Sequence, residues 1–499
     1  MKKIWCLMLA VSLVLSMTAC QQESSPQDEV KQETPAEIQE NTPEETKPPK
    51  PKNDLSWTKG IDPVQEISGT VEGTTETYVR ELTDPKYQGR IGGSEGNRAA
   101  ADYLAKEFER IGLQQLPELG SWKQSYQTNV ASILPGEAWI VAPDQTQTPL
   151  ELGKDWLFRA SPEELDVTLS LTADQAVYDE GKAIWDANVE SKGIARKLNL
   201  IAGEVSDGLS YINPSSNPTR ILVSKEVYAQ LKQPAYQIHL KLPDAIDEEG
   251  SAENVVGYLP GKDRTKAVVL GANFDGPGQC EAFLMPSAYN NASGVATMMQ
   301  TAEWLAQSGE LPCDVIFAAF NTEDNSENGS GALSKLIEDQ YAQIRMVNLK
   351  CIGWKGEPLT IYGNNSEAVL RNSLAGGLKL QYADRDLGAD EKAFYGEKMS
   401  AVVLFQDACL SNPEIMSVLN TTRDTADNLD FAVLDDIAKK LAALQGIELP
   451  YEGEQLNNAL SVGEDCQSLN EFLQCFDLPL KLLQTKEGIS EAIYLVQEE

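Results

Sequence analysis

At 499 residues with 41% hydrophobic side chains, the chain is long enough for two or three domains and a large core. A formal net charge of −35 argues against nucleic acid and anionic lipid surfaces as partners, since either would be repelled. It favours a strongly hydrated surface. Taken from the start, Lys2 and Lys3 precede an apolar run from Ile4 to Val14, and small residues then lead to Cys20 in "SMTAC". A short positive region, an apolar stretch and a small-residue cleavage site predict an export signal over residues 1–19; the run is too short to span a bilayer well.

Cys20, directly after Thr18 and Ala19, resembles the lipobox cysteine of a bacterial lipoprotein. That resemblance implies cleavage before Cys20, diacylglycerol on its sulfur, and anchoring to the cell membrane on the extracytoplasmic face. Two acyl chains anchor stably where one is marginal. Residues 20–55 are rich in Glu, Pro, Gln, Lys and Thr and nearly free of large apolar side chains. Such a segment cannot bury enough surface to offset its ordering entropy, so it is expected to be a disordered, lipid-anchored linker. Six cysteines follow Cys20: Cys280, Cys313, Cys351, Cys409, Cys466 and Cys475. None has Cys-x-x-Cys zinc spacing. Export permits a Cys466–Cys475 disulfide, and buried free thiols are an equal reading.

Residues 56–127 open the folded part. After a short helix ending near Asp84-Pro85 and a Gly-rich loop, Gly89 to Gly96, the residues Ala99, Ala100, Tyr103, Leu104, Phe108 and Ile111 recur at helical spacing, and Gly112 stops the helix. The texture changes over residues 128–250, where short β-like runs ("AWIVAP", "RILVS", "AYQIHLKLP") surround one stretch that reads as helical, "AIWDANVESKGIARKL". This predicts an inserted β-rich domain. Over residues 251–446 strands and helices alternate: "NVVGYLP", "KAVVLGANFD", a helix from Ala292 to Gln307, "DVIFAAF", a helix near Ala332 to Gln340, "MVNLKCIGW", and a helix from Phe431 to Leu444. The alternation predicts an α/β fold with a mostly parallel sheet flanked by helices, and sites at the carboxyl ends of its strands. Residues 447–499 read as a C-terminal appendage without an assignable role.

Several of these segments, in order, resemble the M28 family of zinc aminopeptidases: "QGRIGGSEGNRAAADYLAKEFERIGL", "NVVGYLPGKDRTKAVVLGANFD", "AYNNASGVATMMQTAEWLA", "VIFAAFNTEDNSENGSGAL", "VNLKCIG" and "LNTTRDTADNLDF". The likeness runs from Thr75 to Gln445. It implies the zinc-exopeptidase fold, with residues 128–250 where many relatives carry a protease-associated domain. Carried over position by position, the family's first ligand His falls on Asn273, and the Asp that orients it on Asp275. The Asp bridging two zincs falls on Tyr289, the catalytic Glu on Glu323 and its neighbouring ligand on Asp324. The next ligand Asp falls on Lys350 and the last His on Asn420.

Zinc takes imidazole, thiolate and carboxylate ligands, about three from the protein in a catalytic site. The chain's one His, His239, sits in the alternating strand "AYQIHLKLP", where it reads as an ordinary strand residue. An ammonium at Lys350 repels a zinc ion and can itself neutralise Glu323 and Asp324. Tyr289 would crowd the space between two ions, and Cys351 is expected on the opposite strand face from Lys350. These substitutions predict a protein without zinc, with Glu323 idle, that binds a peptide or an amine. The other reading is a divergent metallo-aminopeptidase on a hard ion held by Asp275, Asn290, Glu323 and Asp324. No oligomeric state is indicated.

Overall fold

The computed structural model describes residues 70–445 apart from 132–134, 160–163, 172–176, 180–183, 192–193, 204, 206–218, 243–245, 248–249, 324–328, 364–380 and 385–386. The export signal, Cys20 and the linker, Asp324, the Cys466 and Cys475 pair and the C-terminal appendage lie outside the described residues.

Eight strands make the main sheet: β1 (Lys123–Gln127), β2 (Ser251–Leu259), β3 (Gly261–Asn273), β4 (Leu311–Phe320), β5 (Gln343–Leu349), β6 (Thr360–Gly363), β7 (Gln381–Asp384) and β8 (Met399–Phe405). Their spatial order is β1-β2-β4-β3-β5-β8-β6-β7. The centre, β4-β3-β5-β8, is parallel, with Val268 opposite Val315, Gly271 opposite Asn348 and Val347 opposite Val402; β1, β2 and β6 add antiparallel pairings. Runs such as "DVIFAAF" are apolar throughout because both faces are covered. Val315, Phe317 and Ala319 enter one core, and Ile316, Ala318 and Phe320 enter the other. The four parallel strands therefore release their chains at one edge: after Asn273, Phe320, Leu349 and Phe405.

Among the described residues, five helices of eight residues or more build around this sheet: α1 (Thr75–Leu82), α2 (Glu95–Ile111), α3 (Ser293–Ala306), α4 (Gly329–Ile337) and α5 (Phe431–Gln445). Helix α2 starts at Ser94, whose hydroxyl accepts from Asn97 N at 3.1 Å, and stops at Gly112, whose φ of 91° an L side chain rarely adopts. Helix α3 is buried from Ser293 to Leu305. Its hydroxyls are satisfied locally, Thr297 Oγ1 donating to Ser293 O and Thr301 Oγ1 to Thr297 O. Gly294 lets the helix start close to the sheet; a Cβ there would meet Leu349 O at 2.4 Å. Glu303 on α3 ties three helices together, accepting from Tyr78 Oη at 2.5 Å and from Arg110. Helix α4 begins three residues earlier than its sequence suggests, through the Gly329-Ser330-Gly331 segment.

Residues 137–242 build two sheets of their own, one of four strands and one of five, over a shared core that includes Ile140, Trp156, Phe158, Leu200 and Leu240. Here one expectation is corrected. "AIWDANVESKGIARKL" is not helical: residues Ile184–Ser191 and Ile194–Ala202 pair antiparallel, Ile184 opposite Ile201. Leu198 and Leu200 are buried at a period of two, and the second strand also pairs with Thr219–Val223. Cross-strand pairing outweighed the helix preference of Ala, Lys and Glu. His239 lies in this region, on the strand Gln237–Leu242, with its ring centroid 5.2 Å from that of Trp139 and its Nδ1 2.9 Å from Thr168 Oγ1.

Among the described residues no helix is long and apolar enough to cross a membrane. Phe108, fully buried between α2 and the sheet with its ring edge toward Trp122, anchors the N-terminal helices. Phe108→Ala is expected to lower unfolding free energy by about 3–5 kcal/mol, read from urea denaturation.

Candidate functional site

The parallel strands deliver polar residues to their shared carboxyl edge. From β3 come Asn273 and Asp275, both buried; from β4 come Asn321, Thr322 and Glu323; from β5 comes Lys350. Asp275 Oδ1 accepts from Asn273 Nδ2 at 3.2 Å, and its Oδ2 accepts from the Glu323 backbone N–H at 3.0 Å. Lys350 Nζ stands 2.6 Å from Glu323 Oε1, with side chains 15% and 13% exposed. An ion pair so far withdrawn from water is held by its partner charge, since either ion alone would be poorly solvated. Three non-glycine residues at this edge have left-handed φ: Thr322 at 57°, Cys351 at 47° and Asn420 at 58°. Such backbone is uncommon, above all for a β-branched residue, and concentrates at functional sites.

Asn291, at the start of α3, links these strand ends. Its Nδ2 donates to Asn273 Oδ1 at 3.0 Å and Leu349 O at 2.7 Å, and its Oδ1 accepts from Cys351 N at 3.1 Å. Asn290 Nδ2 donates to Asn420 Oδ1 at 3.2 Å. Beneath this turn, Asp424 accepts from the backbone N–H groups of Tyr289 at 2.7 Å and Asn290 at 3.2 Å. Arg90 is fully buried and donates to backbone carbonyls: Nε to Phe274 at 2.7 Å, Nη1 to Pro286 at 3.0 Å and to Leu82, and Nη2 to Ser287 at 3.1 Å. One guanidinium thus fixes the chain on both sides of the site turn, a task its fork of donors suits. Burial pulls Arg90 down to about 10, opposed by the carboxylates of Asp275 and Asp424.

The positions singled out by sequence divide into groups. Asn273, Asp275, Glu323 and Lys350 come together, and Asn420 reaches the cluster's Asn290. Tyr289 does not crowd the middle of the site: it is fully buried, its ring lies edge-on to Trp354 at 5.2 Å, and its hydroxyl has no hydrogen-bond partner. Its neighbours reach the other site amides, Asn290 to Asn420 and Asn291 to Asn273. Cys351 is buried in the core that holds Val347 and Leu349, with its Sγ 3.5 Å from Asn290 Oδ1. The strand ends at Leu349, and with φ at 47° Cys351 no longer follows the strict alternation of a strand. Burial and the Cys409 thiol push its thiol up, against the pull of Lys350. Cys280 is fully buried, and burial raises its thiol to about 11.

Sequence reasoning missed Asn291, Arg90, Asp424 and Asp390. Asn291 had a local cue in "NNASG". Asp390 had none: it opens a single turn of helix, Asp390–Phe394, distant in sequence from every other site residue. It is 1% exposed and neither carboxyl oxygen makes a hydrogen bond. The Ser330 hydroxyl is near enough to draw its carboxyl down, without forming a well-aligned hydrogen bond. Burial, and then the Glu323 carboxylate, push its carboxyl well above the usual range, while Lys350 pulls it down.

These donors fit zinc poorly. Asn273 turns its amide nitrogen to Asp275 and its oxygen to Asn291, and an ammonium sits at Glu323. Among the described residues no group of three or more His, Cys, Asp and Glu is arranged to hold a metal ion. What the arrangement offers is hydrogen-bond donors and acceptors with a carboxylate and an ammonium at its centre.

Two outcomes follow from these charges. Lys350→Met leaves the Glu323 carboxylate uncompensated and is expected to cost up to about 3 kcal/mol, and adding Glu323→Gln is expected to recover part of that, in a double-mutant cycle by urea denaturation. Asp424 is raised to about 6 by burial, against the Tyr289 and Asn290 N–H groups and Arg90. A carboxyl raised on folding binds more protons in the native state. Its contribution is therefore present below the ordinary carboxylate pKa and lost as pH rises through about 6. The stability difference between wild type and Asp424→Asn is expected to shrink over that interval and stay flat above it.

Residues 254–445 match the profile of peptidase family M28. A zinc aminopeptidase from Bacillus subtilis superposes with a TM-score of 0.52 at 15% identity, over 74% of this chain and 93% of that one, a likeness of fold. Short stretches also match adenosine deaminases. The match to that of Vibrio atlanticus is 39% identical over 72 residues, 14% of this chain and 22% of the deaminase. The match to that of Haemophilus ducreyi is 51% identical over 53 residues, 10% and 15% respectively. The chain thus spans only about a fifth of the length of these curated relatives. The parallel sheet and the profile match agree: residues 254–445 of this chain carry the profile of peptidase family M28 on a fold like that of a zinc aminopeptidase.

Proposed function

We propose that this M28-fold protein is a lipoprotein tethered to the membrane through Cys20, on the extracytoplasmic face, and that its strand-edge site binds a peptide or amine without hydrolysing it. The observation that carries this reading is the Lys350–Glu323 pair. In a zinc aminopeptidase the catalytic Glu takes a proton from water that a metal has acidified. Here the corresponding Glu323 is engaged by an ammonium, and Lys350 stands where a ligand carboxylate is expected. The pair supplies internally the positive charge that clustered carboxylates require, so no zinc is needed to hold Glu323 and Asp275 together. Hydrogen-bonding groups remain at the site: Asn290, Asn420 and Glu323 for the donors of an amine or peptide end, and Lys350 for an acceptor. The net charge of −35 fits a cationic or neutral ligand better than an anionic one, and disfavours nucleic acid.

The test pairs elemental analysis of protein purified without chelators with an assay of amino-acid release from aminoacyl and dipeptide substrates. The expected outcome is no stoichiometric zinc and no turnover, with or without added divalent ions. Chelator-sensitive turnover abolished in Glu323→Gln would establish the divergent metallo-aminopeptidase instead.

A further inference from the structure

Asp390 and Glu391 are adjacent and equally buried, but only one is provided for. Glu391 Oε1 accepts from Ala389 N at 3.0 Å and its Oε2 from Asn348 Nδ2 at 3.3 Å. Asp390 has no hydrogen bond to either oxygen. A buried carboxyl left in that state is costly, and an apolar or amide residue would pack there more cheaply. The charged groups acting on it are Glu323, Lys350 and Asp275, the centre of the site. Asn348 and Lys350 are two residues apart, and Asn348 is bonded to Glu391. The turn carrying Asp390 therefore covers the end of β5 from which Lys350 projects.

Lys350 carries three donors on a flexible four-carbon stem. At present it serves Glu323. If the ammonium of a bound amine also approached Glu323, two positive charges would meet on one carboxylate, and repulsion would exclude the ligand unless Lys350 moved. We propose that Asp390 is a second seat for the Lys350 ammonium: when a ligand's primary ammonium takes Glu323, Lys350 turns inward to Asp390. Both cations then have a carboxyl partner. An approaching ammonium also favours the ionised form of Asp390, which strengthens the new pair. The ligand part rests on the amine-binding reading above; the two-seat arrangement of Lys350 does not.

Crystal structures of the full chain, wild type and Glu323→Gln, test the seats without any ligand. With the outer carboxylate removed, Lys350 Nζ is expected within ion-pair distance of Asp390. A Lys350 that stays at position 323 or turns to solvent, leaving Asp390 unpaired, overturns the proposal. Calorimetry with L-leucinamide, and with N-acetyl-L-leucinamide as the control without an ammonium, tests its use. Wild type is expected to bind the first and not the second, and Asp390→Asn to weaken binding by about tenfold or more. Equal affinity in Asp390→Asn and wild type overturns the proposal. Failure of wild type to bind either compound overturns the amine-binding reading, and the Glu323→Gln structure then decides the two seats by itself.

Discussion

Where β4 and β5 end, an ammonium and a carboxylate share a small volume from which most water is excluded, 2.6 Å apart. Each ion is stabilised there by the other. That mutual dependence organises the surroundings. Asp275 is engaged through the amide of Asn273 and the backbone N–H of Glu323. Around the pair, the side chains of Asn273, Asn290, Asn291 and Asn420 make amide–amide and amide–carboxylate hydrogen bonds.

The scaffold holding this pair is built largely from groups that never touch it. Arg90 uses its guanidinium on four backbone carbonyls at 82, 274, 286 and 287. Asn291 joins β3, β5 and the start of α3 through one amide. Asp424 receives the N–H groups of residues 289 and 290. Buried polar networks of this kind are costly when incomplete and rigid when complete. Against them stand the buried atoms that lack a hydrogen bond: the Tyr289 hydroxyl, Asn348 Oδ1 and both oxygens of Asp390.

Fold and chemistry are separate questions in this chain. The M28 profile and the superposition on a zinc aminopeptidase describe the backbone and the place of the site. The reaction depends on a handful of side chains at strand ends, and those can change while the sheet beneath them does not.

Much of the architecture was legible without coordinates. Apolar runs such as "DVIFAAF" announced two-sided burial, Gly112 marked the end of α2, and the ordered motifs pointed to the M28 fold with its edge site at Asn273, Asp275, Glu323 and Lys350. All of these are local signals, of periodicity or of residue type at a position. The hairpin at 184–202 was not legible, because cross-strand partners decided a segment whose own composition favours helix. Nor was the burial of Tyr289 against Trp354 or the approach of Cys351 to Asn290, since each depends on tertiary contacts between segments far apart in sequence. Asp390 is the clearest case: in sequence it is one more acid in a polar loop, and only packing of its turn against α4, β5 and β8 removes it from water and brings it within the field of Glu323 and Lys350.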